Sequence, residues 1–248
     1  MDFFRKFLFD GFQSGDYTYG TVHIFSIVFL MSLVVISIVL LRGKDKALIN
    51  RIMKGLAIFT LFVYITRHFV NSIEDGKYLY NFWPFYICSL NTVFLCIWII
   101  FDFKFMKDFF IITGMFGAIL MFVVPDGIFV DRYMTINIFD SLISHFTIFY
   151  IPLVLLSTRT YELDIKKSWQ VLLGLGITVF NVEVLQRVLF NRSEDFLFLR
   201  GTLPFTIEGV PQYLIMVISI VIVVYIVYFL NYLLCGKLEQ LREDLKLN

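Results

Sequence analysis

Two polar residues, Cys88 and Asn91, lie three positions apart in an apolar stretch from 82 to 101. That spacing is one helical turn, so the thiol and the amide share a face of the predicted helix. Polar groups inside a membrane span are costly and usually have a partner or a function. A thiol is a nucleophile when it is a thiolate, although a helical cysteine is often only a small packing residue.

The second reactive side chain is His145, in the apolar stretch 139–156. A nearby imidazole can take the proton of a thiol and so generate the nucleophile. Cys88 and His145 each follow the start of their predicted helix by about six residues, or about 9 Å at 1.5 Å per residue. Equal depth allows contact between them. The alternative is a histidine that only forms a hydrogen bond to a neighbouring helix.

Further polar residues accompany this pair near the same predicted membrane face. Arg67 suits a phosphate or carboxylate, because its guanidinium binds such groups with two parallel hydrogen bonds. Glu183 and Arg187 are four apart and can pair on one helix face. The alternative is an ion network that only holds helices together. The predicted substrate-binding residues are Arg67, His68, Tyr86, Asn91, Asn181, Glu183 and Arg187.

Composition sets the class of protein that positions these residues. The chain has 248 residues, 59% of them hydrophobic, and a mean hydropathy of +0.81. This composition predicts an all-α, polytopic transmembrane bundle. A net charge of +1 gives no sign of a nucleic-acid partner, and the few histidines and scattered carboxylates predict neither a metal site nor a cofactor. The predicted spans are about 22–41, 52–70, 82–101, 109–124, 139–156, 169–190 and 211–234. The fourth is short and contains Gly114 and Gly117, a pattern that indicates close helix packing or a partial span.

The spans imply one transmembrane domain over 1–234, which includes an interfacial arm at 1–20. An amphipathic tail at 235–248 follows this domain. Alternate connections carry twelve lysines and arginines on one side of the membrane and six on the other. The positive-inside rule then predicts an outer N-terminus and a cytoplasmic C-terminus. In that orientation Cys88 and His145 lie in the outer half of the membrane, where the polar residues form a predicted cavity.

Four ordered sets of residues, which together cover roughly residues 78–232, carry a resemblance to a known family. They are Trp83 to Cys88; Gly114 to Gly117 with Pro125 and Asp126; Ser144 to Leu153; and Asn191 to Leu199 with Gly209 to Tyr213. In this order they resemble the YwaF family of bacterial integral membrane proteins, which is related to eukaryotic transmembrane protein 164. Tyr86 stands where that family has a histidine two residues before its cysteine.

The resemblance implies a cysteine-centred phospholipid acyltransferase of the bacterial plasma membrane. By this resemblance, Cys88 would accept the acyl chain and His145 would be its base. Our leading hypothesis adds a phospholipid as the acyl donor and a lysophospholipid or other lipid as the acceptor of the chain. Two other classes remain open from the residues alone. One is a small-solute transporter or membrane sensor that uses the same cavity for binding, and the other is an intramembrane lipid hydrolase with water as acceptor.

Overall fold

A computed structural model provides the fold. It describes residues 4, 7–8, 15–103, 105–123, 128–191 and 212–246, with the side chains of 74, 120, 123, 212–214, 216 and 234–246 left aside. Most of the predicted arm 1–20, the Pro125–Asp126 pair, the loop 192–211 and the side chain of Cys235 lie outside this description. Contacts group the chain into two compact units, Met1–Glu162 and Leu163–Asn248. The single domain over 1–234 and the separate tail stay predictions.

The first unit is built from helices, as the apolar runs predict. Close packing of these helices buries a core that includes Met53, Leu95, Phe109 and Ile151. The helices are α1 (Thr21–Leu41), α2 (Lys46–Asp75), α3 (Tyr78–Phe82), α4 (Ile87–Phe101), α5 (Lys107–Val123) and α6 (Ile136–Ser157).

The second unit is also helical. Its first helical stretch passes through a π-helical turn, a rare and wider turn that is frequently found at functional sites. The last helix continues through residue 246 without a break near the predicted end of its span. The elements are a 3₁₀ turn (Ile165–Lys167), α7 (Ser168–Phe180), the π turn (Asn181–Leu185), α8 (Gln186–Phe190) and α9 (Gln212–Lys246).

Four helical stretches are long and apolar enough to cross a membrane: Thr21–Leu41, Lys46–Ile73, Ile136–Ser157 and Ile165–Phe190. Shorter apolar helices cover Ile87–Phe101 and Val217–Leu233. The chain is therefore an all-helical protein with several membrane-spanning helices, as its composition predicts. Seven spans and their orientation stay predictions.

The helix that carries Cys88 begins later than predicted. The periodicity predicted a start near Phe82, but α3 ends there and α4 begins at Ile87, with an extended Tyr86 before it. Pro84 explains the interruption, because proline has no N–H and forces the preceding residue out of the helical region. Cys88 therefore lies in the first turn of α4 and not six residues below a helix start.

Contacts between helices define the direction of each helix in this unit. Thr60 bonds Thr147 at 2.7 Å between hydroxyls, and Arg67 bonds the amide oxygen of Asn137. Residue numbers rise on α2 as they fall on α6, so these two helices are antiparallel. On α4 and α5, Phe94 lies against Phe110 with ring centroids 6.3 Å apart.

A cleft that is lined by the ends of four helices shows that these ends lie together at one end of the unit. It is lined by residues from the first turns of α2, the last turn of α4, the start of α5 and the end of α6, among them Lys54, Trp98, Lys107 and Tyr161. Hence α5 runs antiparallel to both α4 and α6. We call this end the lysine end, and the opposite end, where α4 begins with Cys88, the cysteine end.

Candidate active site

Cys88 occupies a tight position between two helices at the cysteine end. A Cβ built on Gly117 of α5 would lie 3.0 Å from its Sγ, so any larger residue there would require the Cys88 side chain to shift. Small residues are the usual means by which membrane helices pack closely, as Gly114 and Gly117 predicted. The Cys88 carbonyl accepts a 2.9 Å hydrogen bond from the Thr92 hydroxyl. Cys88 is partly exposed, whereas Cys96, two turns deeper, is fully buried.

The helix contacts relate the level of Cys88 to that of His145. A Cβ built on Gly114 would lie 3.0 Å from the Ile148 carbonyl oxygen of α6. The helices α5 and α6 are antiparallel. Moving three residues toward the cysteine end therefore leads from Gly114 to Gly117 on α5 and from Ile148 to His145 on α6. Gly117 contacts Cys88, so Cys88 and His145 share a level to within about one 5.4 Å turn. A direct contact of sulfur and imidazole stays a prediction.

The His145 ring is held by its own helix. Its Nδ1 lies 2.7 Å from the Ser141 carbonyl oxygen, and the Ser141 hydroxyl lies 3.4 Å from the same nitrogen. A carbonyl oxygen only accepts hydrogen bonds, so Nδ1 carries the proton and the neutral ring keeps its lone pair on Nε2. This contact with the preceding turn fixes the orientation of the ring and leaves Nε2 as its basic nitrogen.

Asn91 adds a buried amide one turn after Cys88. It is fully buried, and its Oδ1 lies 3.1 Å from the hydroxyl of Thr113 on α5. Its Nδ2 has no acceptor among the residues that the structure describes. A buried donor without a partner costs free energy unless a water or a ligand binds it.

A polar network lies further toward the cysteine end, around Arg67. Its Nε donates a 2.6 Å hydrogen bond to Asn137 Oδ1, and its Nη1 lies 3.7 Å from Asp140 Oδ2 and 3.2 Å from His68 Nε2. Arginine only donates, so His68 Nε2 accepts. The side chain of Arg67 is 29% exposed and that of Asp140 is 6% exposed. Arg67 and His68 are thus brought together, within one ion network.

Asp140 and Asn137 are members of this network that the sequence analysis missed. Asp140 also accepts a 3.3 Å hydrogen bond from Ser144, the neighbour of His145. A carboxylate in an apolar helix is itself a signal of a partner, and the basic Arg67 in another apolar helix was the available candidate. Across the described part of the chain, no cluster of three or more histidine, cysteine or carboxylate side chains fits a metal ion.

The remaining predicted residues lie in other surroundings. Tyr86 caps the start of α4 and is 53% exposed. In the second unit, Asn181 is buried at the start of the π turn, and Arg187 Nη2 bonds Glu183 Oε2 at 3.0 Å. This pair confirms the spacing argument. However, the Arg187 side chain is 51% exposed and the Glu183 side chain 24%, so the pair is not a deeply buried one.

Comparison with known proteins identifies the family of this chain. No curated protein and no solved structure matches the chain. The profile of the TMEM164 family matches residues 18–232, which include both helices of the candidate site and most of the sequence. By this match, the chain belongs to the TMEM164 family.

Proposed function

We propose that this protein is an integral membrane acyltransferase that moves an acyl chain from a phospholipid to a lipid acceptor through a thioester on Cys88. The observation that carries the proposal is the state of the His145 ring. Its Nδ1 proton is used by the Ser141 carbonyl, which leaves Nε2 as a base at the level of Cys88. The resemblance to cysteine-centred acyltransferases supports the same roles for these two residues.

In the first half-reaction, His145 Nε2 takes the proton of the Cys88 thiol. The thiolate attacks the carbonyl carbon of the phospholipid ester and forms a tetrahedral intermediate. Collapse of the intermediate breaks the C–O bond to the glycerol oxygen. That oxygen takes the proton from His145 and leaves as the hydroxyl of a lysophospholipid, while the acyl chain stays on Cys88 as a thioester.

In the second half-reaction, an acceptor hydroxyl gives its proton to His145 Nε2 and attacks the thioester carbonyl. The C–S bond breaks, and the sulfur recovers the proton from His145. Water in the acceptor position would turn the same chemistry into hydrolysis. A transferase therefore requires that the acceptor be bound and that water be excluded during this step.

Two kinds of donor near Cys88 suit the oxyanion of both intermediates. The N–H groups in the first turn of a helix have no acceptor within the helix, and Cys88 itself occupies that turn of α4. The Asn91 Nδ2 group is the second donor. The positive end of the helix dipole also favours a thiolate at this position.

Arg67 is proposed to bind the phosphate of the lipid head group. Asn137 accepts from its Nε and Asp140 lies against its Nη1, while the exposed part of the guanidinium keeps further N–H groups for an anion. His68 and Tyr86 would complete this head-group region. We include Asn181, Glu183 and Arg187 of the second unit in the proposal as further substrate-binding residues.

The proposal includes seven spans in the bacterial plasma membrane, with the N-terminus outside and the C-terminus in the cytoplasm. The support is the excess of lysine and arginine in alternate connections, twelve against six. A reporter fused after Asn248 is expected to show cytoplasmic activity only. Activity of that fusion on the outer side would place Cys88 in the other leaflet.

The nucleophile is tested with purified protein and an acyl-phosphonate lipid probe, followed by peptide mapping. The probe is expected on Cys88, and Cys88→Ser is expected to abolish both labelling and acyl transfer while folding is kept. Cys96→Ser is the matched control, because Cys96 is on the same helix but fully buried. His145→Ala is expected to lose transfer, with labelling of Cys88 restored at high pH, where the thiolate forms without a base.

Labelling that persists in Cys88→Ser, or full transfer activity in that variant, would refute the proposed mechanism. Release of free fatty acid at the same rate with and without lysophospholipid would instead identify a hydrolase. An unlabelled Cys88 combined with tight, saturable lipid binding would favour the binding protein of the transporter or sensor class.

A further inference from the structure

We propose that the cleft at the lysine end is a binding site for a phosphodiester anion, separate from the Cys88 site and independent of the acyl-transfer proposal. The cleft has a volume of about 200 Å³ and lies wholly within the first unit. The residues that carry the argument are Lys54, Trp98, Asp102 and Lys107, together with Tyr161.

Trp98, which lines the cleft, has a donor without an acceptor. The side chain is only 4% exposed, and its indole Nε1 is buried and has no acceptor among the residues that the structure describes. A buried indole N–H normally has a hydrogen-bond partner, because burying it alone costs free energy. A phosphate oxygen that enters the cleft and displaces the atoms covering Nε1 would supply the missing bond.

Charged side chains line the cleft. Lys107 Nζ lies 3.1 Å from Asp102 Oδ1, and these two charges compensate each other. Lys54 also lines the cleft, and no ion pair involves it within the described ranges. The buried carboxylate of Asp108 is bonded by the Tyr161 hydroxyl and is not among the lining residues. The ammonium of Lys54 is therefore the lining charge that an anionic phosphate group would meet.

The second ammonium group of the cleft, that of Lys107, is held in a fixed position. Lys107 Nζ lies 5.1 Å from the centroid of the Trp98 ring and 5.9 Å from that of the Tyr161 ring. These cation–π contacts and the bond to Asp102 hold it in place, and an ammonium has three N–H donors. Lys107 is thus preorganised, with donors left for an anion.

The chemistry of the cleft suits a lipid head group as well as a soluble phosphate ester. Tryptophan and tyrosine concentrate where membrane and water meet, and basic pockets between helix ends attract anionic head groups. Both ligands share the phosphodiester or phosphate group that Lys54, Lys107 and Trp98 would bind. The experiment therefore includes one arm for each source.

The test measures thermal stability and native mass spectra of the full chain in a maltoside detergent. Phosphatidylglycerol is the anionic lipid probe, and diacylglycerol with the same acyl chains is the probe without phosphate. Soluble glycerophosphoglycerol, which carries the same phosphodiester without acyl chains, is the third probe. We expect phosphatidylglycerol to bind and stabilise the protein more than diacylglycerol does. Stabilisation by glycerophosphoglycerol to the same extent would assign the site to a soluble phosphodiester, which also supports the proposal.

The variants locate the effect in the cleft. Lys54→Gln is expected to weaken binding of the phosphate-bearing probe about tenfold, because it removes a charge-assisted hydrogen bond. Trp98→Phe keeps a ring but removes the N–H and is expected to weaken binding several-fold. Lys46→Gln is the matched control, since Lys46 is an exposed lysine in the first turn of the same helix and is expected to leave binding unchanged.

Two results would overturn the inference. One is equal stabilisation by phosphatidylglycerol and diacylglycerol. The other is an equal loss in Lys54→Gln and Lys46→Gln, which would indicate general attraction to basic residues. Neither result bears on the acyl-transfer proposal, because Cys88 and His145 lie at the other end of the unit and their test uses probe labelling.

Discussion

The two ends of the first unit hold an ion pair each, but in opposite surroundings. At the cysteine end, Arg67 lies 3.7 Å from Asp140, whose side chain is 6% exposed. At the lysine end, Lys107 lies 3.1 Å from Asp102, whose side chain is 75% exposed. Removing one partner of a buried pair leaves a costly unpaired charge, whereas an exposed partner is replaced by water. The burial of the partner, more than the distance, decides what each pair contributes.

Packing differs between these regions as well. In the half toward the cysteine end, α5 approaches its neighbours through Gly114 and Gly117, where an added Cβ would lie 3.0 Å from Ile148 O and from Cys88 Sγ. At the lysine end, aromatic side chains and lysines line a cleft. Close helix contacts hold reactive groups at fixed positions, while an open, polar cleft admits a ligand.

The largest expected effect is the loss of unfolding free energy on removing the charge of Asp140, compared with that of Asp102. Asp140→Asn keeps the shape but leaves the Arg67 charge without its carboxylate, and we expect a loss of about 2–3 kcal/mol in unfolding free energy. Asp102→Asn is the matched change at the other end and is expected to cost less than about 1 kcal/mol. The measurement is reversible unfolding of purified protein in mixed micelles. Equal losses in the two variants would contradict the contrast.

A second prediction concerns the glycines. Gly114→Ala places a methyl group 3.0 Å from the Ile148 carbonyl oxygen, which belongs to a helix backbone and moves little. We expect a loss of about 1–3 kcal/mol from overpacking. Gly55 of α2, next to Lys54, has nothing within 4 Å of an added Cβ. Gly55→Ala is therefore expected to be neutral or to stabilise by up to about 1 kcal/mol.

The same unfolding measurement decides between these outcomes. A destabilising Gly55→Ala together with a neutral Gly114→Ala would reverse the assignment of the close helix contacts. Labelling of Cys88 by the lipid probe in Gly117→Ala is a further measurement. The added methyl group is expected to displace the Cys88 sulfur and so to reduce labelling.

The smallest expected effect lies in the second unit. Glu183 and Arg187 pair at 3.0 Å, but the Arg187 side chain is 51% exposed. Glu183→Ala is therefore expected to cost less than about 1 kcal/mol, as an exposed pair one helical turn apart does. A loss as large as that of Asp140→Asn would show that the membrane buries this pair.

A double-mutant cycle with Arg187→Ala completes this test. Coupling between the two residues is expected to be only a few tenths of a kcal/mol. Coupling of several kcal/mol would place Glu183 and Arg187 with Arg67 and Asp140 among the buried ion pairs, and would strengthen the case for a role of this turn in substrate binding.

The local features of this protein followed from the sequence by itself. Hydrophobic runs predicted an all-helical membrane protein, because an apolar helix is the structure that satisfies its own backbone in lipid. The spacing of Glu183 and Arg187 predicted their pairing, and Gly114 with Gly117 predicted close helix contacts. These features depend on residues a few positions apart, whose relation in a helix is nearly invariant.

The tertiary structure alone decided which distant residues meet. The pairing of Arg67 with Asp140, the contact of Gly117 with the Cys88 sulfur and the assembly of the cleft from four helix ends all depend on how whole helices are ordered and rotated. Periodicity marks the apolar face of a helix, but it does not say which neighbour that face meets. The later start of α4 is not in this group, because Pro84 is a local signal in the sequence that the predicted span did not take into account.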